Sequence, residues 1–361
     1  VIRLERLGKR FGRQYAVKEL DLEVAEGEFV CLIGPSGCGK STTLKMINRL
    51  VEPEEGRVLV GGRDVRQVRP ELLRRRMGYV IQSIGLFPHM SVEENICVVP
   101  GLLGWERERG RRRAAELLEL FDLEPGAYGP KRPSQLSGGE AQRVGVARAL
   151  AADPEILLMD EPFGALDPIT RDRLQSQFAR IASELGKTIV FVTHDIDEAI
   201  RLSSRMVLMR AGELVQEGPP EELLAHPADR FAKEFIGADR ALKRLSRLLV
   251  EEVVRPAPWL PVDAAAEEVE REFAGLGERP GCFLWVASRQ GRLLGWADRQ
   301  GEGGLEQRLV EVEPREFALR PQDSLRHALS VLLWQGVACA PVVDGAGRIT
   351  GELWLQDLLR S

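Results

Sequence analysis

The stretch GPSGCGKS, from Gly34 to Ser41, commits the chain around it to a strand, a tight loop and a helix, in that order. It fits G-x-x-x-x-G-K-S in full. The apolar run EFVCLI precedes it, and a segment of helical pattern follows. The glycines let backbone N–H groups wrap a phosphate, and the helix start adds positive potential. Lys40 would reach the β and γ phosphates of a nucleotide, and Ser41 would ligate Mg²⁺. Cys38 lies within the loop, where only its backbone is needed.

The surrounding pattern alternates short apolar strands with amphipathic helices, so residues 1–237 are expected to form an α/β domain. EILLMDEP, Glu155 to Pro162, reads as a buried strand that closes in two acids. Asp160 would hold Mg²⁺ through water, and Glu161 would orient or deprotonate an attacking water. TIVFVTHD, Thr188 to Asp195, puts His194 at another strand tip, in reach of a γ-phosphate. Gln82 ends a third strand, where a side chain either touches metal and the following segment or does neither. From 83 to 152 the strands give way to helical periodicity, which predicts a helical insert. Its Arg-rich start, Arg107 to Arg113, is expected to be a solvated helix face rather than a basic contact patch.

A second glycine-rich anion site stands in the insert. LSGGEAQR, Leu136 to Arg143, offers a hydroxyl, two glycines and a helix start, yet has no catalytic groups of its own. An ordinary N-capped helix is the competing reading.

Residues 238–249 are expected to form a charged linker helix, and 250–361 contain an internal repeat. PVDAAAEEVEREFAGLG is answered by PQDSLRHALSVLLWQG, and FLWVASRQGRLLG by ACAPVVDGAGRITG. Each half reads strand, helix, strand, tight turn, strand, and two such short copies need each other to bury a core.

The bulk numbers agree. A length of 361 residues suits two domains or three, and 44% hydrophobic with 29% charged residues suits ordinary cores. A net charge of -5 argues against non-specific nucleic-acid binding as the main task. No apolar run approaches the roughly eighteen residues of a membrane span. No secretory leader pattern opens the chain. It begins at Val1 without methionine, so a few preceding residues are expected. The five scattered cysteines, with no CxxC pair, suit a reducing cytosol.

Together these motifs resemble the nucleotide-binding subunit of an ABC transporter, over Val1 to about Gly237. The fold the resemblance implies is α/β, a P-loop NTPase of ABC type with a helical insert. It implies that Phe11 stacks on adenine, and that Gly34, Pro35, Ser36, Gly37, Cys38, Gly39, Lys40, Ser41 and Thr42 hold the ATP phosphates. Gln82 becomes the metal-touching glutamine loop, Asp160 and Glu161 the Mg²⁺ and catalytic acids, and His194 the switch histidine. Ala165 to Asp167 forms a loop that also serves the nucleotide, and Ser137, Gly138, Gly139 and Glu140 form the signature. Glutamate stands at 140 where the family most often has glutamine. In this family two chains dimerise head to tail around two ATP, each ATP held by the phosphate loop of one chain and the signature of the other. The second glycine loop is then half of a neighbour's site.

YVIQSIGLFPHMSVEENICVVPGLLGW, MDEPFGALDPITRDRLQ and KMINRLVEPEEGRVLVGG narrow the resemblance to importers of glycine betaine, carnitine, choline or proline betaine. It implies an ATPase on the cytoplasmic face of the inner membrane, a multi-spanning permease and an extracytoplasmic substrate-binding protein as partners, and no nucleic acid. Ile84 to Met90 would either receive a permease helix or pack in the core. The repeat resembles a tandem CBS (α+β) pair, either a regulator sensing ionic strength or cyclic di-AMP, or a dimer clamp. Asp357 keeps the usual acid of a nucleoside site, but Trp354 replaces its hydroxyl, and Asp298 and Gly301 fill the two places in the first copy. Ordinary AMP binding is not expected there. An ATPase of another importer, a soluble ABC ATPase and a regulatory protein with a decayed ATPase are the alternatives. A long coiled-coil insert or two ATPase domains would mark the soluble class, and Lys40, Glu161 and His194 argue against decay.

Overall fold

The computed structural model describes residues 1–164, 166–237, 239–276, 283–299, 305–313 and 317–358. It divides into two compact units, Val1–Ala238 and Asp239–Ser361.

The first unit runs β1 (Ile2–Phe11), β2 (Gln14–Val24), β3 (Phe29–Ile33), α1 (Lys40–Ile47), β4 (Glu55–Val60), β5 (Arg63–Asp64), α2 (Pro70–Arg75) and β6 (Met77–Val80). Then come α3 (Val92–Leu102), α4 (Arg107–Leu120), α5 (Pro125–Tyr128), α6 (Gly138–Leu150), β7 (Ile156–Asp160), α7 (Pro168–Leu185) and β8 (Thr188–Val192). It closes with α8 (Ile196–Leu202), β9 (Arg205–Arg210), β10 (Glu213–Gly218), α9 (Pro220–Ala225) and α10 (Arg230–Ile236).

Two sheets result. One is antiparallel, in the order β2-β1-β4-β5. The other has the order β10-β9-β3-β8-β7-β6, and all but β10 lie parallel. Its central strands β3, β7 and β8 are nearly continuous apolar runs because both faces are covered. Cys31, Ile33, Leu157, Met159 and Phe191 face one core with the insert helices. Their sequence neighbours Val30, Leu32, Leu158 and Val190 face the other, with α1 and the first sheet. Because β3, β8, β7 and β6 are parallel neighbours, the loops after all four emerge at one edge.

Four helices and no strand of the described residues fill the insert between β6 and β7. The Arg-rich start of α4 is mostly exposed, with Arg111 paired to Glu93 at 2.9 Å.

The second unit runs α11 (Arg240–Leu245), β11 (Trp259–Pro261), α12 (Ala266–Gly275), β12 (Phe283–Ala287), β13 (Leu293–Asp298), α13 (Leu305–Arg308), β14 (Leu309–Glu311), α14 (Leu325–Gln335), β15 (Cys339–Val343), β16 (Ile349–Trp354) and α15 (Leu355–Leu358). The repeat is visible in the register. β11 pairs parallel with β12, and Leu319 forms the matching parallel bridge to Val342 in β15. The β12–β13 and β15–β16 hairpins each carry an irregularity at the same place, before Ala287 and before Val343. Their turns meet: the Leu293 N–H donates to the Gly347 carbonyl, and the Ile349 N–H to the Gly291 carbonyl. Both turn glycines adopt positive φ, 81° and 78°.

Residues 239–249, expected as a connector, belong to this second unit. Leu245 is buried in its core with Val250, Leu325 and Leu332, and Leu248 packs against them. The many charges of α11 hid the apolar contacts that hold it, although Arg240, Lys243 and Arg244 are only partly exposed and Leu242 is the outward apolar residue.

Candidate active site

The phosphate loop leaves β3 at Gly34 and enters α1 at Lys40. Gly34, Gly37 and Gly39 have φ of 146°, 80° and 107°, which only glycine adopts without strain. At Gly39 a Cβ would lie 2.2 Å from the Ala16 carbonyl oxygen, whereas at Gly37 nothing stands within 4 Å. Gly39→Ala is therefore expected to cost more than about 2 kcal/mol and to abolish nucleotide binding, while Gly37→Ala costs only about 1 kcal/mol. Urea denaturation compares the two, and equal costs would contradict the close approach.

Lys40 is 5% exposed, and its ammonium donates to the Gly34 carbonyl at 2.7 Å and the Pro35 carbonyl at 3.1 Å. The Ser41 hydroxyl donates to Asp160 Oδ1 at 2.7 Å, which joins the start of α1 to the end of β7. Burial pushes the Asp160 carboxyl up, with the Ser41 hydrogen bond opposing it. Thr42 follows on the first turn of α1.

Glu161 stands between two of the other predicted residues. Gln82 Nε2 donates to its Oε2 at 3.1 Å, and His194 Nδ1 lies 3.3 Å from its Oε1. Its backbone has φ 44°, an uncommon conformation for glutamate that costs of order 1–3 kcal/mol. The Glu161 N–H fixes it by donating to the Val192 carbonyl at 2.9 Å. A strained carboxylate held from two sides points at a functional role, because packing alone has no use for it.

Two features of this site have no signal in the motifs. The Thr193 hydroxyl donates to Glu198 Oε2 at 2.6 Å, and Gln175 Nε2 to Glu198 Oε1 at 2.9 Å. That buried network ties the His194 loop to α7, and burial pushes the Glu198 carboxyl up. The buried Asn95 side chain clamps the loop after Gln82: its Oδ1 accepts from the Phe87 N–H at 2.8 Å, and its amide donates to the Phe87 carbonyl at 3.1 Å. Leu86 packs against the core of the insert, whereas Phe87 is 41% exposed and Pro88 and His89 are exposed too, so core packing explains only part of this loop.

Phe11 is 58% exposed at the tip of the β1–β2 hairpin. The same hairpin brings Ala16 against Gly39 and so borders the phosphate loop. Asp167 caps α7 by accepting from the Thr170 N–H at 3.1 Å. Ala165 lies outside the described residues, as does Gly301.

The signature opens α6 as a capping box. The Glu140 N–H donates to Ser137 Oγ at 3.3 Å, and the Ser137 N–H to Glu140 Oε2 at 2.7 Å. The Tyr128 hydroxyl donates to Glu140 Oε1 at 2.7 Å. With the Ser137 N–H this holds the Glu140 carboxyl down at about 2. A depressed carboxylate adds stability that is fully present above its ordinary value of 4.5 and lost as pH falls through about 2. The cost of Glu140→Ala, about 1 kcal/mol at pH 7, is expected to shrink as pH falls from 5 toward 2. Urea denaturation along that series checks it. Gly138 has open space at its Cβ position, and the Gly139 N–H lies in the first turn of α6.

The sequence of residues 17–164 matches the family described as ABC transporter. The chain is 45% identical to the glycine betaine/carnitine/choline transport ATP-binding protein OpuCA of Bacillus subtilis (strain 168), over 97% of this chain and 93% of that protein. It is 41% identical to the osmoprotectant import ATP-binding protein OsmV of Salmonella typhimurium, over 100% of this chain and 97% of the relative. The dimeric structure of the bacterial ABC transporter cassette MJ0796 superposes with a TM-score of 0.55 and 37% identity, covering 61% of this chain and 98% of the cassette. The same cassette has been solved in a post-hydrolysis state bound to ADP and Pi, with 36% identity to this chain and a TM-score of 0.55. Phosphate loop, strand-end acids and full-length likeness agree, and this chain belongs to the ABC transporter family, among its ATP-binding proteins.

Proposed function

We propose that the chain is the ATP-hydrolysing subunit that powers import of a small quaternary-amine osmolyte: glycine betaine, carnitine, choline or proline betaine. The observation that carries the reading is Glu161, held between Gln82 and His194 on the edge where the phosphate loop lies. The names of the full-length relatives support the cargo class.

ATP would place its adenine on Phe11 and its phosphates on Gly34 to Thr42. Lys40 would exchange its loop carbonyls for phosphate oxygens. Glu161 orients water and takes its proton as the water oxygen bonds to the γ-phosphorus. The bond to the bridging oxygen of ADP breaks, and ADP leaves with that electron pair. His194 donates to the γ-phosphate, and Gln82 holds the Glu161 carboxylate. Mg²⁺ suits the hard oxygens of Ser41 and Asp160, with Gln82 alongside, since it prefers few protein ligands and keeps its waters. When bound, it neutralises charge on the phosphate oxygens.

The likeness to a dimeric cassette supports a second copy as partner. Ser137, Gly138, Gly139 and Glu140 of that copy would close over the γ-phosphate, with Asp167 beside them. The exposed loop around Phe87 suits a permease helix, and the permease would connect to an extracytoplasmic binding protein. Among the described residues no helix is long and apolar enough to cross a membrane. A peripheral place on the cytoplasmic face of the inner membrane fits this assembly. The two-fold repeat of the second unit supports the CBS reading, and cyclic di-AMP stays a candidate for the interface between two such units. Arg255 is paired with Asp357, which leaves that acid poorly placed for a ribose.

The test is uptake by the reconstituted complex. Quaternary amines are expected to enter and to raise ATP turnover. Stimulation only by sugars or polyamines would move the chain to another importer, and the absence of any co-purifying membrane protein would make it a soluble ATPase.

A further inference from the structure

The second unit contains a cleft of about 380 Å³ walled by Phe283, Trp285, Trp296, Phe317 and Trp354. It lies on the seam of the repeat: the β12–β13 hairpin supplies three of these rings, and β16 supplies Trp354. Phe283 is the corner of a box. Its centroid is 5.0 Å from Trp285 at 78°, 6.1 Å from Trp296 at 74° and 5.9 Å from Trp354 at 33°.

A carboxylate stands behind two of the walls. The Trp285 indole N–H donates to Glu352 Oε2 at 3.0 Å, and the Trp354 indole N–H to Glu352 Oε1 at 2.9 Å. Glu352 is 1% exposed. Both indole donors are therefore spent on Glu352, and a carboxylate on each N–H pushes electron density onto the ring. The face of an aromatic ring is already the negative side of its quadrupole.

The ligand class follows from what such walls offer. A phosphate or carboxylate would find no donor among the rings. An ammonium with N–H groups would lose its water bonds without replacement. A quaternary ammonium has no N–H to satisfy and carries its charge on methyl groups that pack against ring faces. The volume lies within the range of small-molecule sites and leaves room for a short polar tail.

We propose that this cleft binds a small quaternary ammonium compound against the part-exposed rings of Phe283, Trp296 and Phe317, with the buried Trp285 and Trp354 and the Glu352 charge behind them. Its physiological meaning rests on the import reading: the ligand class is then that of the cargo, and the second unit senses the cargo already delivered. Trp354, which spoils the position for a nucleoside, serves this ligand instead.

Tetramethylammonium and choline, titrated into the full-length chain, test the proposal by calorimetry and by the indole ¹⁵N–H resonances of Trp285 and Trp354. Saturable binding is expected, with both indole signals shifting in the unmodified protein. The neutral choline isostere 3,3-dimethylbutan-1-ol is expected to bind at least about tenfold more weakly, and Trp296→Leu to weaken choline about tenfold. Phe317→Leu serves as a second variant, with retained, dispersed indole resonances of Trp285 and Trp354 as the check that the second unit is folded. Equal affinity for the neutral isostere would make the cleft merely apolar and overturn the proposal. So would AMP binding with no quaternary ammonium binding, or no saturable ligand in the unmodified chain. Choline import by the complex without choline binding to this chain would sink the cleft and spare the import reading. Binding without any quaternary-amine import would do the reverse.

Discussion

Glu161→Gln is expected to bind ATP and dimerise as before while turning over at least about a hundredfold more slowly. The substitution keeps the shape and one acceptor oxygen, and removes the carboxylate that takes the proton. Gln82 faces Glu161 Oε2 and His194 faces Oε1, so the one oxygen of a glutamine can keep one of these contacts and its amide fills the space of the other, which alanine cannot do. Lys40→Ala acts earlier in the cycle. It takes a positive charge from the phosphates and weakens ATP binding itself. Nucleotide affinity and single-turnover hydrolysis separate the two variants. Near-normal turnover in Glu161→Gln would remove this residue from the chemistry.

The site was legible in sequence as separate strand ends. Each motif carries its own context: an apolar run, then the polar residue that the strand delivers. The strand order is what the sequence withholds. Gln82 and Glu161 are 79 residues apart and become neighbours only because β6 and β7 pair in parallel. His194 reaches Glu161 for the same reason, through β7 and β8. Glu198 and Asn95 were missed because a buried acid and a buried amide in a helix look like any solvated helix residue until their partners are known.

Ser137 shows a different limit. The spacing Ser-x-x-Glu announces a capping box, and the structure contains one. Ser137 and Gly138 themselves are exposed at that helix start, which is where an anion from a partner chain would meet it. In the second unit, the repeat was legible from its turns and from matching strand patterns. The aromatic cleft was not, because its rings come from separate segments that meet only on the seam. The helix Arg240–Leu245 read as a connector because its charges dominate the pattern, while Leu245 and Leu248 decide where it packs.

The central claim is that each ATP site is built from two chains, which explains two glycine-rich loops beside one set of catalytic groups. A mixed dimer of Lys40→Ala chains with Ser137→Arg chains tests it most directly. If the loops work in trans, one composite site receives both lesions and the other receives none. The measurement is the number of ATP molecules trapped per dimer, with each variant's homodimer as a control that traps none. Replacing the Ser137 cap costs the α6 start about 1 kcal/mol, too little to unfold the domain. One trapped ATP per mixed dimer is the predicted result. None would contradict it, because sites completed within a single chain would each carry one lesion.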